Sequence, residues 1–303
     1  MLEVKGLYKS FGEVKAVQDV SFEIQDGSIL GIIGQNGSGK TTIFRMILDF
    51  LTPENGGTVL WDGKDIGKGI YDIVGYLPEE RGLYEKLTIE QQIFYFAQLR
   101  GMKKADIDAK IDLWLKKFNV KGKRKDLVKT LSKGNQQKVQ LIATLIHEPK
   151  LVILDEPFSG LDPVNADYLK QGILDLKANG SCVIFSSHNM NNVEEICDQL
   201  VMIHNGKRVL YGSVDEVRAS FGRTKLYITT DQWSAEQLQQ ISGVRSVRQL
   251  KEHHYLLHLQ DEAVGQALFP LLTQGNYIQT FDQQPPTLEE IFKMKAGASH
   301  EKE

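Results

Sequence analysis

The most constraining feature of this chain is a glycine-rich stretch between residues 34 and 42. It reads Gly-Gln-Asn-Gly-Ser-Gly-Lys-Thr-Thr, follows the apolar run Ile29–Ile33 and leads into the helix-like run Ile43–Leu48. Such an apolar run is typical of a buried parallel strand, and a phosphate-binding loop is expected where a loop of this kind joins a strand to a helix. The pattern favours a nucleoside triphosphate site over a glycine-rich turn that carries Lys-Thr by chance.

The residue types of this loop suit a bound phosphate group. Glycines and a small serine let consecutive backbone N–H groups face an anion, and the new helix adds its positive N-terminal end. Lys40 can reach the outer phosphates, and the Thr41 hydroxyl is the expected Mg²⁺ ligand. The predicted nucleotide-binding residues of the loop are Gly34, Gln35, Asn36, Gly37, Ser38, Gly39, Lys40, Thr41 and Thr42.

Two further apolar runs end in polar residues. Leu151–Leu154 runs into Asp155 and Glu156, and Cys182–Phe185 is followed by two serines and His188. Chemistry gathers at the carboxyl ends of strands in an open parallel sheet. The two acids could instead cap the next helix, and the histidine could be structural. Convergence with the phosphate loop favours one nucleotide site for all of them.

Composition narrows the class of protein. The chain has 303 residues, 41% of them hydrophobic, and a net charge of −3, which gives no support for nucleic-acid binding. Its two cysteines, Cys182 and Cys197, suit a reduced compartment better than a disulfide framework. No apolar run approaches the roughly 18 to 20 residues that cross a bilayer, and no signal peptide is expected at the N-terminus. Work at a membrane would therefore need another chain.

Hydrophobic patterning predicts an α/β fold in two domains followed by a tail. Short antiparallel strands at 2–7 and 20–24 precede the phosphate loop, and an amphipathic helical subdomain is inserted at about 84–148. A β-α-β-β-α-β order after residue 221, with its last strand expected at 277–281, matches a small ferredoxin-like α+β domain. The expected domains are 1–221 and 222–296, with a disordered tail at 297–303.

Three features that could indicate a special function have simpler structural interpretations. The basic run Lys121–Lys125 lacks interleaved aromatic residues, so a solvated mobile loop is favoured over a nucleic-acid patch. His254 and His258 share a strand face without a carboxylate or thiol, which favours a surface pair over a metal site. From spacing alone, Phe11 is expected to be a core residue.

With these motifs in hand, the chain resembles the ATP-binding subunit of an ABC transporter. The resemblance covers residues 1 to about 220, where the phosphate loop looks like the Walker A motif and Leu151–Glu156 like Walker B with its catalytic glutamate. His188 resembles the switch histidine, and Phe11 sits where the family stacks an aromatic ring on adenine, which overturns the core interpretation. The tail from Thr287 to Phe292 is similar to that of ABC-2-type exporter ATPases of the sodium-extrusion branch.

The resemblance implies roles for these residues. Glu156 and His188 would be catalytic, while Thr41, Glu79 and Asp155 would bind the metal; ATP and Mg²⁺ are the implied cofactors. A second chain would supply the in-trans residues of the signature and the D-loop. These in-trans residues are Ser132, Gly134 and Asp162.

Two departures from the family pattern stand out. The usual signature Leu-Ser-Gly-Gly-Gln has Lys133 and Asn135 at its third and fifth positions here, although Ser132 and Gly134 remain. The loop after Pro78 carries Glu79 where the family has Gln. Function is expected to survive, with a changed metal affinity and pH response because Glu79 adds a charge.

The leading function is ATP hydrolysis coupled to export through a separate integral membrane permease. Implied partners are that permease and a second nucleotide-binding chain, in a homodimer or heterodimer, at the cytoplasmic inner face of the cell membrane. The loop Glu79–Leu87 and the helical subdomain would dock the permease, with contacts from Leu83, Tyr84, Phe94 and Phe96, unless these rings, Phe96 above all, belong to the subdomain core.

Two other classes of protein fit the sequence less well. A soluble ABC-type ATPase acting on a macromolecular complex tends to carry two cassettes, coiled coils or zinc insertions, whereas this sequence has one phosphate loop and no heptad run. A regulatory module that no longer hydrolyses ATP is disfavoured because Glu156 and His188 are both present.

Overall fold

The computed structural model describes residues 1–80 and 82–297. The chain divides into two compact units, Met1–Gly212 and a second unit from Ser213 onward. This division falls before the boundary predicted after residue 221. The predicted tail lies outside the described residues except for Gly297, which ends the last helix. No helix among the described residues is both long enough and apolar enough to cross a bilayer.

The first unit alternates strands and helices. Its first elements are β1 (Leu2–Phe11), β2 (Val14–Ile24), β3 (Ile29–Ile33), α1 (Lys40–Ile47), β4 (Thr58–Trp61), β5 (Lys64–Asp65), β6 (Val74–Leu77), α2 (Ile89–Leu99) and α3 (Lys104–Lys117). The remaining ones are α4 (Lys133–Leu145), β7 (Leu151–Leu154), α5 (Pro163–Ala178), β8 (Cys182–Ser187), α6 (Met190–Ile196), β9 (Gln199–His204) and β10 (Lys207–Ser213).

These strands form one mixed sheet in the order β5-β4-β1-β2-β10-β9-β3-β8-β7-β6. The strands β1, β2, β4 and β5 pair antiparallel, whereas β9, β3, β8, β7 and β6 pair parallel along the other half. Parallel pairing of β3, β8, β7 and β6 brings their carboxyl ends to one edge. The polar residues that follow these strands therefore lie side by side, as the sequence predicts.

Burial explains why these segments are strands. Every residue of β3, β7 and β8 is buried, and their Ile, Leu and Val side chains suit a sheet covered on both faces. In β1 and β2, buried and more exposed residues alternate in part, as in a sheet with one covered face. The predicted antiparallel strands thus exist but run longer than predicted, and β1 reaches Phe11.

The helical subdomain contains α2, α3 and α4. A capping box closes the start of α2, where the Thr88 side chain accepts from the Gln91 backbone and the Gln91 side chain accepts in return. Arg124, within the basic run predicted to be mobile, is anchored to the side chains of Asp108 and Asp112 at 2.7 and 2.8 Å. At this position the run is therefore part of the subdomain framework.

The second unit has the predicted β-α-β-β-α-β order. It comprises α7 (Val214–Ala219), β11 (Lys225–Thr229), α8 (Ala235–Gln239), β12 (Val244–Lys251), β13 (His254–Leu259), α9 (Ala263–Thr273), β14 (Thr280–Gln284) and α10 (Leu288–Gly297). The four strands pair antiparallel in the order β12-β13-β11-β14, which fits a ferredoxin-like unit. The last strand was predicted at 277–281, three residues too early, and Tyr277 precedes it.

Candidate nucleotide-binding and hydrolytic site

The loop between β3 and α1 is shaped by close backbone approaches. A Cβ atom on Gly34 would lie 2.5 Å from the Ile203 carbonyl oxygen, and one on Gly39 would lie 2.4 Å from that of Ala16. Gly39 also adopts a left-handed φ of 111° as the N-cap of α1. No larger residue fits at either position without moving backbone, so the loop can curl tightly over the start of the helix.

This loop offers polar groups that bound phosphate would satisfy. The Ser38 Oγ is buried and has no hydrogen-bond partner among the described residues. The buried Lys40 ammonium donates to the carbonyl oxygens of Gly34 and Gln35, at 2.9 and 3.2 Å. A buried hydroxyl without a partner is costly, and the helix start adds positive potential. The loop therefore fits the phosphate groups of a nucleotide.

A chain of short hydrogen bonds joins the loop to the ends of two neighbouring strands. The Thr41 hydroxyl donates to Asp155 Oδ2 at 2.8 Å, and the Ser186 hydroxyl donates to Asp155 Oδ1 at 2.7 Å. The adjacent hydroxyl and carboxylate oxygens of Thr41 and Asp155 are hard donors of the kind that Mg²⁺ takes, together with substrate phosphates and waters. The described residues contain no cluster of three or more acidic, His or Cys metal donors.

Glu156 is held from several sides. Its backbone has a left-handed φ of 49°, which is strained for a residue with a Cβ. Its amide donates to the Ser186 hydroxyl at 2.7 Å. Its carboxylate, on a residue only 8% exposed, lies 2.8 Å from His188 Nδ1 and 3.5 Å from the Lys40 ammonium. The surroundings thus fix both the direction and the charge partners of this carboxylate.

Lys40, Thr41, Asp155 and Glu156 border one cleft of about 310 Å³, whereas His188 reaches it through its contact with Glu156. Its lining includes Ala16, Asn36, Gly37, Gly39, Lys40, Thr41, Thr42, Glu79, Asp155 and Glu156. Glu79 also borders the neighbouring cleft of about 270 Å³, together with Lys133 and Gln137. The pKa of Tyr76 is raised to about 12, chiefly by burial and further by the charges of Asp155 and Glu79. The phenol of Tyr76 therefore stays neutral.

Phe11 is not a core residue. Its ring is 49% exposed at the end of β1, where it pairs with Val14 in the turn to β2. Two residues further along β2 lies Ala16, which borders the phosphate cleft. The first interpretation of Phe11, from spacing, is therefore wrong, and an exposed ring near the cleft is free to stack on a base.

The signature residues occupy a different part of this unit. Ser132 is the N-cap of α4, and its hydroxyl accepts from the backbone and the carboxamide of Asn135. Asp162 caps α5 in the same way and accepts from the Asn165 amide at 2.9 Å. Because Asp162 fills this role, Asp155 and Glu156 are not capping acids. Ser132, Gly134 and Asp162 do not border the phosphate cleft.

Some residues at the site were not predicted. Ser186 bridges Asp155 and Glu156, yet the sequence indicates it only as one of two serines at the polar end of β8. Its inward direction follows from strand alternation, which could have revealed it. Gln137 and Gln140 border the second cleft from α4, and no local pattern in the sequence distinguishes them from surface glutamines.

The fold and the strand-end cleft define a P-loop type of nucleotide-binding protein. A family model described as ABC transporter matches residues 17–159, and one described as the C-terminal domain of DrrA1-3-like ATP-binding proteins matches residues 212–296. The chain is 40% identical to the ABC transporter ATP-binding protein YhaQ of Bacillus subtilis, over 99% of this chain and all of that protein.

Two further comparisons agree. The ABC transporter ATP-binding protein NatA of Bacillus subtilis is 37% identical over 68% of this chain and 85% of NatA. A solved structure of an ATP-binding subunit of an ABC transporter superposes with a TM-score of 0.67 and 31% identity, over 73% of this chain and 93% of that one. This chain belongs to the family of ABC transporter ATP-binding proteins, and it is an ATPase of that type.

Proposed function

We propose that this chain hydrolyses Mg·ATP at the strand-end cleft and couples hydrolysis to export through a separate membrane permease. The observation that carries the proposal is the connected set of contacts among Lys40, Thr41, Asp155, Glu156 and His188. These five side chains come from one loop and two neighbouring strand ends. Their residue types match the tasks of phosphate binding, metal binding and water activation.

Glu156 acts as the general base in this proposal. Its carboxylate accepts the proton of the attacking water, and His188, 2.8 Å away, orients that carboxylate and contacts the outer phosphate. Lys40 neutralises negative charge on the phosphates, and Phe11 stacks on the adenine. Thr41, Asp155 and Glu79 would hold Mg²⁺, which would screen the charge of the phosphates.

A second chain completes the site. Ser132 and Gly134, at the start of α4, do not border the phosphate cleft of their own chain, which supports a role on the nucleotide of a partner. We propose a head-to-tail dimer, in which the γ-phosphate holds the two chains together and hydrolysis releases them. Asp162, at the start of α5, contributes to the same interface.

The test of this function is a steady-state Mg·ATPase assay. Glu156→Gln should lower kcat by about a hundred- to ten-thousand-fold, the usual contribution of a general base. It should keep ATP binding and accumulate as an ATP-bound dimer in size-exclusion chromatography. Glu148→Gln is a matched control, since Glu148 also has a left-handed φ of 54° but is exposed and paired with Lys110. Normal turnover by Glu156→Gln would refute the role given to Glu156.

The permease is proposed to dock on an aromatic groove of about 360 Å³. Tyr84 and Phe96 border it, together with Phe50, Tyr71, Tyr76, Arg100 and His147. Tyr84 is 52% exposed, and its ring stacks on that of Phe96 at 6.2 Å. The predicted contacts Leu83 and Phe94 lie outside this lining, whereas Tyr95 and Leu99 add exposed apolar surface nearby. An exposed aromatic patch of this kind suits an interaction site.

Co-purification with the permease tests this surface. Tyr84→Ala should weaken the association by about ten- to a hundred-fold, as expected for an aromatic anchor. Tyr277→Ala, which removes an 89% exposed ring from the second unit, serves as the control. Unchanged co-purification of Tyr84→Ala would place the permease elsewhere.

Three finer points complete the proposal. The chain would work as a peripheral subunit at the cytoplasmic face of the membrane, within an exporter of the sodium-extrusion branch. The second unit would support dimerisation or regulation, so deleting the residues after about 222 should weaken dimerisation while leaving ATP binding intact. Loss of ATP binding would show that the deletion cuts into the nucleotide-binding domain.

A further inference from the structure

The backbone segment 157–159 directly after Glu156, called the strap below, is contacted by Gln137, a residue to which no role has been assigned above. Gln137, on α4, donates from its Nε2 to the carbonyl oxygen of Pro157 at 2.7 Å. Pro157 directly follows Glu156, and the Ser159 amide donates back to the Glu156 carbonyl at 3.0 Å. The backbone on the carboxyl side of Glu156 is therefore tied to α4, while the Ser186 hydroxyl holds the amino side.

Packing alone does not account for a glutamine at this position. The Gln137 Oε1 is buried and has no hydrogen-bond partner among the described residues, and an orphan acceptor of this kind opposes folding. A leucine of similar size would avoid that cost. What leucine cannot do is donate to Pro157, so the hydrogen bond to the strap is the distinctive property of Gln137.

The same helix begins with the signature residues. Gly134 lies three residues before Gln137, one turn away on the same face of the 13-residue helix α4. A helix of this length moves largely as one body. Any shift that a nucleotide on the partner chain imposes on Ser132 and Gly134 is thus transmitted to the Pro157 carbonyl and to Glu156.

We propose that Gln137 is a positioning residue that couples the two ATP sites of the dimer. Through α4, occupancy of the site completed by Ser132 and Gly134 sets the position of Glu156, which serves the nucleotide bound to its own chain. The coupling is a difference in free energy between two positions of one element, and it is reciprocal for binding. This inference rests on the composite dimer proposed above.

Gln137→Leu and Gln136→Leu make a matched pair for the test. Gln136 is adjacent on α4 and also donates to backbone carbonyls, but those of Val128 and Leu131 in the helical subdomain. Gln137→Leu should lower kcat by about ten-fold, because small displacements of a catalytic group are costly, with KM within about two-fold of the wild type. Its Hill coefficient for ATP should fall towards 1, and its Tm should change by less than about 3 °C. Gln136→Leu should keep both kcat and the Hill coefficient.

The possible outcomes separate this inference from the proposed function. A wild-type chain without Mg·ATPase activity or cooperativity would overturn the composite site and, with it, the coupling. A cooperative wild type with an unchanged Gln137→Leu variant would overturn the role of Gln137 alone. A fall in kcat accompanied by a fall in Tm of more than about 3 °C would also overturn it, as would an equal fall in the kcat of Gln136→Leu, because either result indicates a structural role.

Discussion

The phosphate cleft and the aromatic groove belong to the same unit but are built in different ways. Short side chains at strand ends, held by backbone and by one another, form the cleft: Thr41, Asp155 and Ser186 make one hydrogen-bonded chain. The groove is lined by rings and other side chains from β6, α2, α4 and the loops between them, with ring contacts such as Tyr84–Phe96 at 6.2 Å. The phosphate loop of the cleft is held in place by close main-chain approaches at Gly34 and Gly39, whereas the groove is formed by side chains that can rearrange.

Among the tests of this comparison, Ser186→Ala has the largest expected effect, and it measures how firmly Glu156 is held in the cleft. Ser186→Ala removes the fully buried hydroxyl that accepts from the Glu156 amide and donates to Asp155. The strained backbone of Glu156 then loses a support, so we expect kcat to fall by about a hundred-fold and the free energy of unfolding by about 2 kcal/mol. Steady-state ATPase assays and denaturant titration measure the two effects.

Ser187→Ala provides the control for this experiment. Among the described residues, the Ser187 hydroxyl hydrogen-bonds only to the backbone of Asn189, at 3.1 and 3.0 Å, and to neither carboxylate. Its variant should keep kcat within about three-fold, since the lost bonds are ordinary ones. Equal losses from both serines would mean that the cleft depends on the general integrity of β8 rather than on the Ser186 bridge.

The cleft could be predicted because its determinants are local in sequence. A buried run followed by a glycine loop or by Asp-Glu specifies both the strand and the chemistry at its end, and parallel pairing then brings Thr41, Asp155 and His188 together. What sequence could not give is the left-handed backbone of Glu156 or the identity of its supports. Those depend on β8 and α4, which lie some 20 to 30 residues away.

A second prediction concerns how the stability of the chain depends on pH through His147, which borders the groove. Burial, with a further contribution from the Arg100 charge, lowers the pKa of His147 to about 4, while its Nε2 meets the Val74 carbonyl at 3.2 Å. Because the folded chain then binds fewer protons than the unfolded one, stability rises with pH between about 4 and the ordinary histidine value near 6.5. That stability is lost as the pH falls through this window, by about 2 kcal/mol after allowing for solvent screening.

Denaturant titrations at pH 7, 6, 5 and 4 check this prediction. The wild type and His147→Gln should differ progressively less in the free energy of unfolding as the pH falls, because only the wild type loses the contribution of a neutral buried imidazole. A constant difference across these pH values would show that His147 titrates normally and that the groove is no more sensitive to acid than its surroundings.

The groove and the second unit show why other parts escaped prediction. Helix periodicity located α2, but Tyr95 and Leu99 lie on its exposed face, where their pattern is that of scattered surface apolar residues. The strands β9 and β10 were not predicted, and β14 was placed three residues too early because Tyr277 and Ile278 favoured an earlier start. Side-chain clusters assembled from distant segments have no local signature.

The smallest expected effect is that of Gln92→Leu, which tests whether permease association can be weakened at the groove without changing ATP turnover at the cleft. Gln92 is fully buried on α2, where its Oε1 accepts from the Tyr84 amide at 3.0 Å and its Nε2 has no hydrogen-bond partner among the described residues. Gln92→Leu should release Tyr84, weakening permease association about five-fold for one lost hydrogen bond, while the ATPase activity of the isolated chain stays within about two-fold. Gln98→Leu, exposed on the same helix, should change neither quantity. If Gln92→Leu lowered ATP turnover as strongly as it lowered association, the groove and the cleft would form one cooperative structure, and the contrast between a phosphate loop held by close main-chain approaches and a groove formed by side chains would fail.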